Sequence, residues 1–328
     1  MIAGANNVGK STILESIFLF MGRYTGDVFL LLNKIRGITN IGQSPQLAWE
    51  SLFYNQNVLN EIIIKLQIDD HEQIVTISKE DIFYNSPNIE SVKSQMVPVM
   101  NSSFIPGYHL KVNFFDGKNN DLVYFVINDA ETIKKRLPDI YSVNIPFTYY
   151  LHTMSIMDPQ QVVELYSQLE KNYKKNSLIN ILKLLDDRIK DLSILVIGGV
   201  IGLYADLGLE TKLSINVLGD GINKLMHIIL VMLANPGAII LADEIENGFH
   251  YSFYPKLWEI IGNLTQKTNC QLIATSHSYE CINAAENLAI ESDMFRFLRL
   301  EKVNGTIHPK VFDNEAFMYS INNDWEVR

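Results

Sequence analysis

The chain has 328 residues, 47% of them hydrophobic and 20% charged, with a formal net charge of −10. This composition suits a globular protein with a substantial core, and the acidic balance argues against a free-standing nucleic-acid-binding module. Cys270 and Cys281 have no metal-type spacing and imply a reducing compartment without a disulfide framework.

Met1 leads into a glycine-containing motif, not into a basic and then apolar leader. The longest apolar stretch, 192–204, is about 13 residues and is split by Gly198-Gly199, whereas a membrane span needs about 20. A cytoplasmic chain without membrane contact is expected. From the amino end, residues 11–21 carry Ile13, Leu14, Ile17, Phe18 and Met21 at helical spacing and predict a largely buried helix. Residues 61–69, 73–79, 109–115 and 121–128 read as strands of a mostly antiparallel sheet, with 116–120 as a hairpin loop. Two helices are expected within 159–190, a hairpin over 192–207 and a buried helix over 222–234. From residue 238 the pattern is strand, helix, strand, of a length that fits a right-handed βαβ unit. A last hairpin over 295–312 turns at Asn304-Gly305.

The chemistry-bearing motif comes first in the chain. Gly4-Ala5-Asn6-Asn7-Val8-Gly9-Lys10-Ser11 fits G-x-x-x-x-G-K-[ST], and Thr12 continues it into the predicted helix. Glycines at these positions let successive backbone N–H groups turn toward phosphate oxygens, and the following helix adds its positive amino end. Lys10 would reach the β- and γ-phosphates and the Ser11 hydroxyl would ligate Mg²⁺, so ATP and Mg²⁺ are the expected cofactors. Only residues 1–3 precede the loop, which implies either a very short strand or a natural chain that starts earlier.

Late in the chain, Ile239-Ile240-Leu241-Ala242-Asp243-Glu244 reads as a buried parallel strand ending in two carboxylates. Asp243 would hold Mg²⁺. Glu244 would orient and deprotonate the attacking water. His277 follows 33 positions later, at the end of another apolar run, and would face the γ-phosphate from an adjacent strand.

These residues resemble a family. The loop at 4–11, Asp-Glu-Ile-Glu-Asn-Gly-Phe-His at 243–250 and Thr-Ser-His-Ser at 275–278 are similar to the ABC-type ATPase heads, which include RecF, the SMC proteins and the OLD nucleases. The nearest likeness is to compact bacterial AAA-family ATP-binding proteins related to OLD. In that group a Gly-Asp-Gly stretch, here Gly219-Asp220-Gly221 followed by Asn223 and Lys224, stands where transporters have their signature loop, and the closing residues 324–328 are also similar.

The resemblance implies an α/β P-loop fold with a mixed or parallel core sheet, an antiparallel β subdomain and a helical lobe. It implies a single ABC-type domain: an amino-terminal lobe over 1–155, a helical lobe over 156–213, and a segment over 214–328 carrying the signature, acids and histidine. It further implies a homodimer with ATP at the interface, where Gly219 and Gly221 donate to the opposite γ-phosphate and Glu246 and Asn247 lie in the crossing loop. An effector protein, an indirect link to DNA and a role in antiphage defence follow from the family alone.

The chain departs from the family in three ways. Within these 328 residues no strands are expected before the loop beyond residues 1–3, the signature has no serine, and no Toprim nuclease domain is expected. A regulatory scaffold with little hydrolysis is therefore the competing function. Gln160 and Gln161 are candidates for a γ-phosphate-sensing glutamine, with a solvated helix start as the ordinary reading. Lys134-Lys135-Arg136 and Lys171, Lys174 and Lys175 are read as solvated surface, and His250 as a helix cap.

Overall fold

The computed structural model describes residues 1–38, 45–81, 108–128, 131–136, 145–152, 157–291 and 295–323. The 324–328 segment and the side chains of Lys134, Lys135 and Arg136 lie outside that description. In chain order the elements are β1 (Ile2–Gly4), α1 (Lys10–Met21), α2 (Asp27–Ile35), α3 (Pro45–Glu50), β2 (Ile62–Ile68), β3 (His71–Asp81), β4 (Tyr108–Phe115), β5 (Asn120–Asn128), β6 (Glu131–Arg136) and β7 (Thr148–Leu151). They continue with α4 (Pro159–Lys171), α5 (Lys175–Leu182), β8 (Asp191–Ile197), β9 (Val200–Asp206), β10 (Leu213–Ser214), α6 (Asp220–Ala234), β11 (Ile239–Ala242), α7 (Tyr254–Thr268) and β12 (Gln271–Ala274). The last are α8 (Tyr279–Asn283), α9 (Glu286–Glu291), β13 (Phe297–Val303), β14 (Thr306–Phe312) and α10 (Asn314–Asn322).

The chain divides into two compact units, 15–145 and 1–14 with 146–328. The phosphate loop thus groups with the carboxyl-terminal part of the chain, not with the antiparallel strands that follow it in sequence.

The 15–145 unit is built on an antiparallel meander in the order β2-β3-β4-β5-β6. Alternation places Val75, Ile77, Leu110, Val112, Phe114, Val123 and Phe125 on its buried face. Phe29 of α2 packs 5.2 Å from Phe125 and 6.1 Å from Trp49 of α3. The buried Arg23 guanidinium lies 4.0 Å from the Phe114 ring centroid. The four strands read from the sequence are present. The short α2 and α3, and β6, add to them.

The other unit centres on two parallel groups. β7 and β12 flank β11, and β1 pairs in parallel with β13, whose far side carries β14 antiparallel. A parallel bridge between Ile2 and Thr275, with the Ser276 N–H donating to the Ile2 carbonyl at 3.0 Å, joins the groups. The spatial order is therefore β14-β13-β1-β12-β11-β7, a mixed sheet with a parallel centre. β7 is a four-residue run with no period of its own, so its identity as a strand depends on the edge that β11 offers.

Helix α6 is apolar around nearly its whole circumference, with Leu225, Met226, Ile228, Ile229, Leu230, Val231 and Met232 fully buried, as expected of a helix with no solvent face. Helix α4 starts at Pro159 with Asp158 as its cap, accepting from the Gln160 N–H at 2.8 Å. Gln160 and Gln161 stand in the first turn of this helix. The β8–β9 hairpin turns at Gly198 and Gly199, both at positive φ (59° and 81°). Among the described residues, no helix is long and apolar enough to cross a membrane.

Candidate nucleotide site

The site forms at the carboxyl edge of the parallel strands, because the register of β11, β12 and β7 ends them level. Ala242 pairs with Ala274 and Leu151, so Asp243 and Thr275 emerge side by side. Asp243 is 4% exposed and Thr275 is fully buried. The Thr275 hydroxyl donates to Asp243 Oδ1 at 2.5 Å and accepts the Glu244 N–H at 2.8 Å.

The phosphate loop reaches the same edge from β1. Gly4 has φ 142°, and a Cβ there would stand 2.6 Å from the Leu300 carbonyl oxygen, so both backbone angle and packing demand glycine. Asn7 (φ 65°) and Gly9 (φ 85°) complete the turn around Ala5, Asn6 and Val8. Lys10 is 5% exposed and folds back over the loop, donating to the Gly4 and Ala5 carbonyls at 2.7 and 2.8 Å. Burial lowers its pKa, and the Asp243, Glu244 and Glu246 carboxylates act against that. The Ser11 hydroxyl donates to Asp243 Oδ2 at 2.8 Å, bridging 232 positions of sequence. Thr12 follows in the first turn of α1.

Glu244 sits in the left-handed region at φ 46°, an uncommon conformation for a non-glycine residue. Four neighbours hold it there. Its N–H is bound by Thr275, and its carbonyl accepts from Lys224 Nζ at 2.5 Å. Its Oε2 accepts from the Asn247 side-chain amide at 2.5 Å, and its Oε1 lies 3.9 Å from His277 Nε2. Both Glu244 and His277 keep about a third of their side-chain surface exposed (35% and 34%), so both can meet a ligand.

The backbone around His277 is fixed by Glu246, whose Oε1 accepts the His277 and Ser278 N–H groups at 2.6 and 3.1 Å. Glu246 is 7% exposed and points into its own chain. Asn247 is exposed but also engaged within the chain, on Glu244.

Gly219 and Asp220 are exposed at the amino end of α6, whereas Gly221 is buried. A Cβ on Gly221 would stand 2.5 Å from the Gly248 carbonyl oxygen. Gly221 therefore lets α6 close on the loop that carries Glu246 and Asn247. One turn on, Lys224 is largely buried, its pKa pushed down to about 8 by desolvation against the pull of Glu246, Glu244 and Asp243.

The structure thus brings together Lys10, Ser11, Asp243, Glu244 and His277 as the sequence suggested. It adds Thr275, Lys224 and Glu246 as their supports. Thr275 could have been anticipated from its place directly after β12, equivalent to that of Asp243 after β11. Nothing in the sequence pointed to Lys224 as a partner of Glu244. Two lysines read as solvated surface are engaged within the chain: Lys174 donates to the Leu233 carbonyl and Lys175 pairs with Asp191 at 2.9 Å. Cys270 and Cys281 are buried free thiols.

Residues 155–282 match the family model described as AAA ATPase domain. A Helicobacter pylori (strain ATCC 700392 / 26695) protein named "ATP/GTP phosphatase" is 24% identical to the chain, over 99% of this chain and 92% of its own length. Among solved structures, the SMC head bound to the C-winged helix domain of ScpA is similar at 11% identity and a TM-score of 0.47, over 97% of this chain and 91% of that one. The SMC head domain from Thermotoga maritima is similar at 12% identity and a TM-score of 0.39, over 95% and 89%. Residues 155–282, which carry Asp243, Glu244 and His277, are thus similar to an AAA ATPase domain, and the Ser11–Asp243 contact joins the phosphate loop closed by Lys10 to them.

Proposed function

We propose that the chain hydrolyses ATP at the edge where Ser11 meets Asp243, and that two copies close around the nucleotide to drive or gate an effector. The observation that carries the catalytic part is the Ser11–Asp243 hydrogen bond of 2.8 Å, which joins the phosphate loop to the acidic strand end. A hydroxyl and a carboxylate side by side are hard oxygen donors of the kind Mg²⁺ takes while keeping several waters. Ser11 and Asp243 would hold the ion, which when bound neutralises charge on the phosphate oxygens.

The chain's own groups account for the rest. The loop N–H groups and the amino end of α1 receive the phosphates. Lys10 exchanges the nearby Gly4 and Ala5 carbonyls for phosphate oxygens. Glu244 accepts the proton of the attacking water as the water oxygen bonds to the γ-phosphorus and the bond to the β,γ-bridging oxygen breaks. His277 stands 3.9 Å from that carboxylate and is placed to donate to a γ-phosphate oxygen. Thr275, Lys224 and Asn247 fix Glu244 from three sides, so its orientation does not depend on substrate.

The exposure of Gly219 at the amino end of α6 supports closure with a second copy, whose γ-phosphate its N–H would meet, whereas Gly221, the other donor that the resemblance implies, is buried. A DNA-associated or defence effector is the output that the resemblance to OLD-like heads favours.

The test is ATP turnover and molecular size for wild type and Glu244→Gln. The variant should bind Mg-ATP, lose about 10²–10⁴-fold in turnover, and accumulate as a dimer. Equal turnover by both proteins removes Glu244 from its role. A wild type that binds but never hydrolyses is a nucleotide-binding scaffold. A variant that stays monomeric with ATP removes the closure step.

A further inference from the structure

A phosphate loop specifies where the triphosphate lies but not what holds the nucleoside. The sheet order resolves the direction. The γ-phosphate end is fixed on the β12–β11 side of β1, where Ser11 meets Asp243 and where Glu244 and His277 stand. A triphosphate lying across the loop then sends its nucleoside to the opposite side of β1, which is occupied by the β13–β14 hairpin.

Three features of that hairpin fit the position. First, it sits directly on the loop: the Leu300 carbonyl oxygen lies 2.6 Å from where a Cβ on Gly4 would stand, and Ile307 Cδ1 lies 3.4 Å from the corresponding point on Gly9. Thr12 Cβ is 3.9 Å from that same point over Gly9, so Ile307 and the start of α1 border one surface. Second, the hairpin overreaches the strand it pairs with. Gly4 is level with Leu300, yet β13 continues to Val303 before turning back, which carries the Lys302–Ile307 pair past the end of β1. Third, Ile307 is 43% exposed, an aliphatic side chain left in solvent beside a phosphate loop.

We propose that the β13–β14 hairpin is the nucleoside wall of this ATPase, with the purine ring lying on Ile307. This rests on the phosphate-loop reading above and adds the residue that recognises the organic half of the ligand. The ring would cover the exposed methyls of Ile307 and thereby remove apolar surface from water. Inorganic tripolyphosphate has no ring and would gain nothing from the wall.

The experiment is calorimetric titration of Mg-ATP and Mg-tripolyphosphate into the full chain as wild type, Ile307→Ala, Ile307→Phe and Lys10→Ala. Ile307→Ala should weaken Mg-ATP about tenfold and leave Mg-tripolyphosphate within about twofold. Ile307→Phe, which offers a larger platform, should keep or tighten Mg-ATP, and this also shows that position 307 tolerates substitution. Lys10→Ala should weaken both ligands. Equal weakening of both ligands by Ile307→Ala, or of neither, overturns the wall. A wild type that takes up neither ligand, or a Lys10→Ala chain that binds both normally, overturns the phosphate-loop reading and the wall with it. Normal tripolyphosphate uptake with no response to Ile307 overturns the wall alone.

Discussion

The Lys224 ammonium donates to the backbone carbonyl of Glu244 at 2.5 Å, linking the helix that opens with Gly219-Asp220-Gly221 to the residue proposed above to activate water. A charged donor on this partly buried carbonyl contributes about 1.5–3 kcal/mol, enough to offset a left-handed backbone at a glutamate. Lys224→Ala should therefore lower single-turnover hydrolysis about tenfold to a hundredfold while ATP affinity stays within about twofold. Lys224→Arg should restore most of the rate, since a guanidinium can reach the same carbonyl. Loss of rate and affinity together in the alanine variant would make Lys224 a packing residue and not a positioning one.

Glu246 holds the backbone of His277, and its removal should expose that dependence. Glu246→Leu leaves the partly buried His277 N–H without its acceptor and the Ser278 N–H with the Ser276 hydroxyl at 3.2 Å, which should cost about 1–3 kcal/mol in a denaturant titration and reduce turnover. Glu246→Gln keeps an oxygen for those N–H groups and should retain most of the stability. If both variants unfold at the wild-type midpoint, the carboxylate does not anchor the histidine segment.

His227 on α6 supplies a pH dependence separate from catalysis. Burial pushes its pKa down from 6.5 to about 4. Above pH 6.5 the imidazole is neutral folded or unfolded and contributes no slope. As pH falls from 6.5 toward 4, the unfolded chain takes up the proton and the folded one does not, so stability is lost across that window. The full loss approaches roughly 3 kcal/mol. Unfolding of wild type and His227→Leu at pH 7 and pH 4.5 should show a steeper decline in wild type. Parallel declines would mean that the buried imidazole does not resist protonation.

Much of this protein was readable along the chain because its signals are local. Gly4, Gly9, Lys10 and Ser11 form one turn, and the apolar run 239–242 announces a buried strand whose next residues must lie at its edge. The hairpins turning at Gly198-Gly199 and Asn304-Gly305 follow from residues that tolerate positive φ. The four-residue β7 was not readable, since a segment of that length becomes a strand only when a neighbour completes its hydrogen bonds. Nor was it readable that the Glu246 carboxylate accepts the His277 and Ser278 N–H groups, a contact between segments far apart in the chain.

By itself the sequence determined that this chain has a phosphate-binding turn, two acids at a strand end and an imidazole after a later strand, because each is a backbone conformation or chemical type encoded within a few consecutive residues. Only the tertiary structure decided that Ser11 meets Asp243, that Lys224 steadies Glu244 and that Ile307 borders Gly9. Those contacts depend on strand order and register, which arise from hydrogen-bond pairing and apolar burial between segments far apart in the chain.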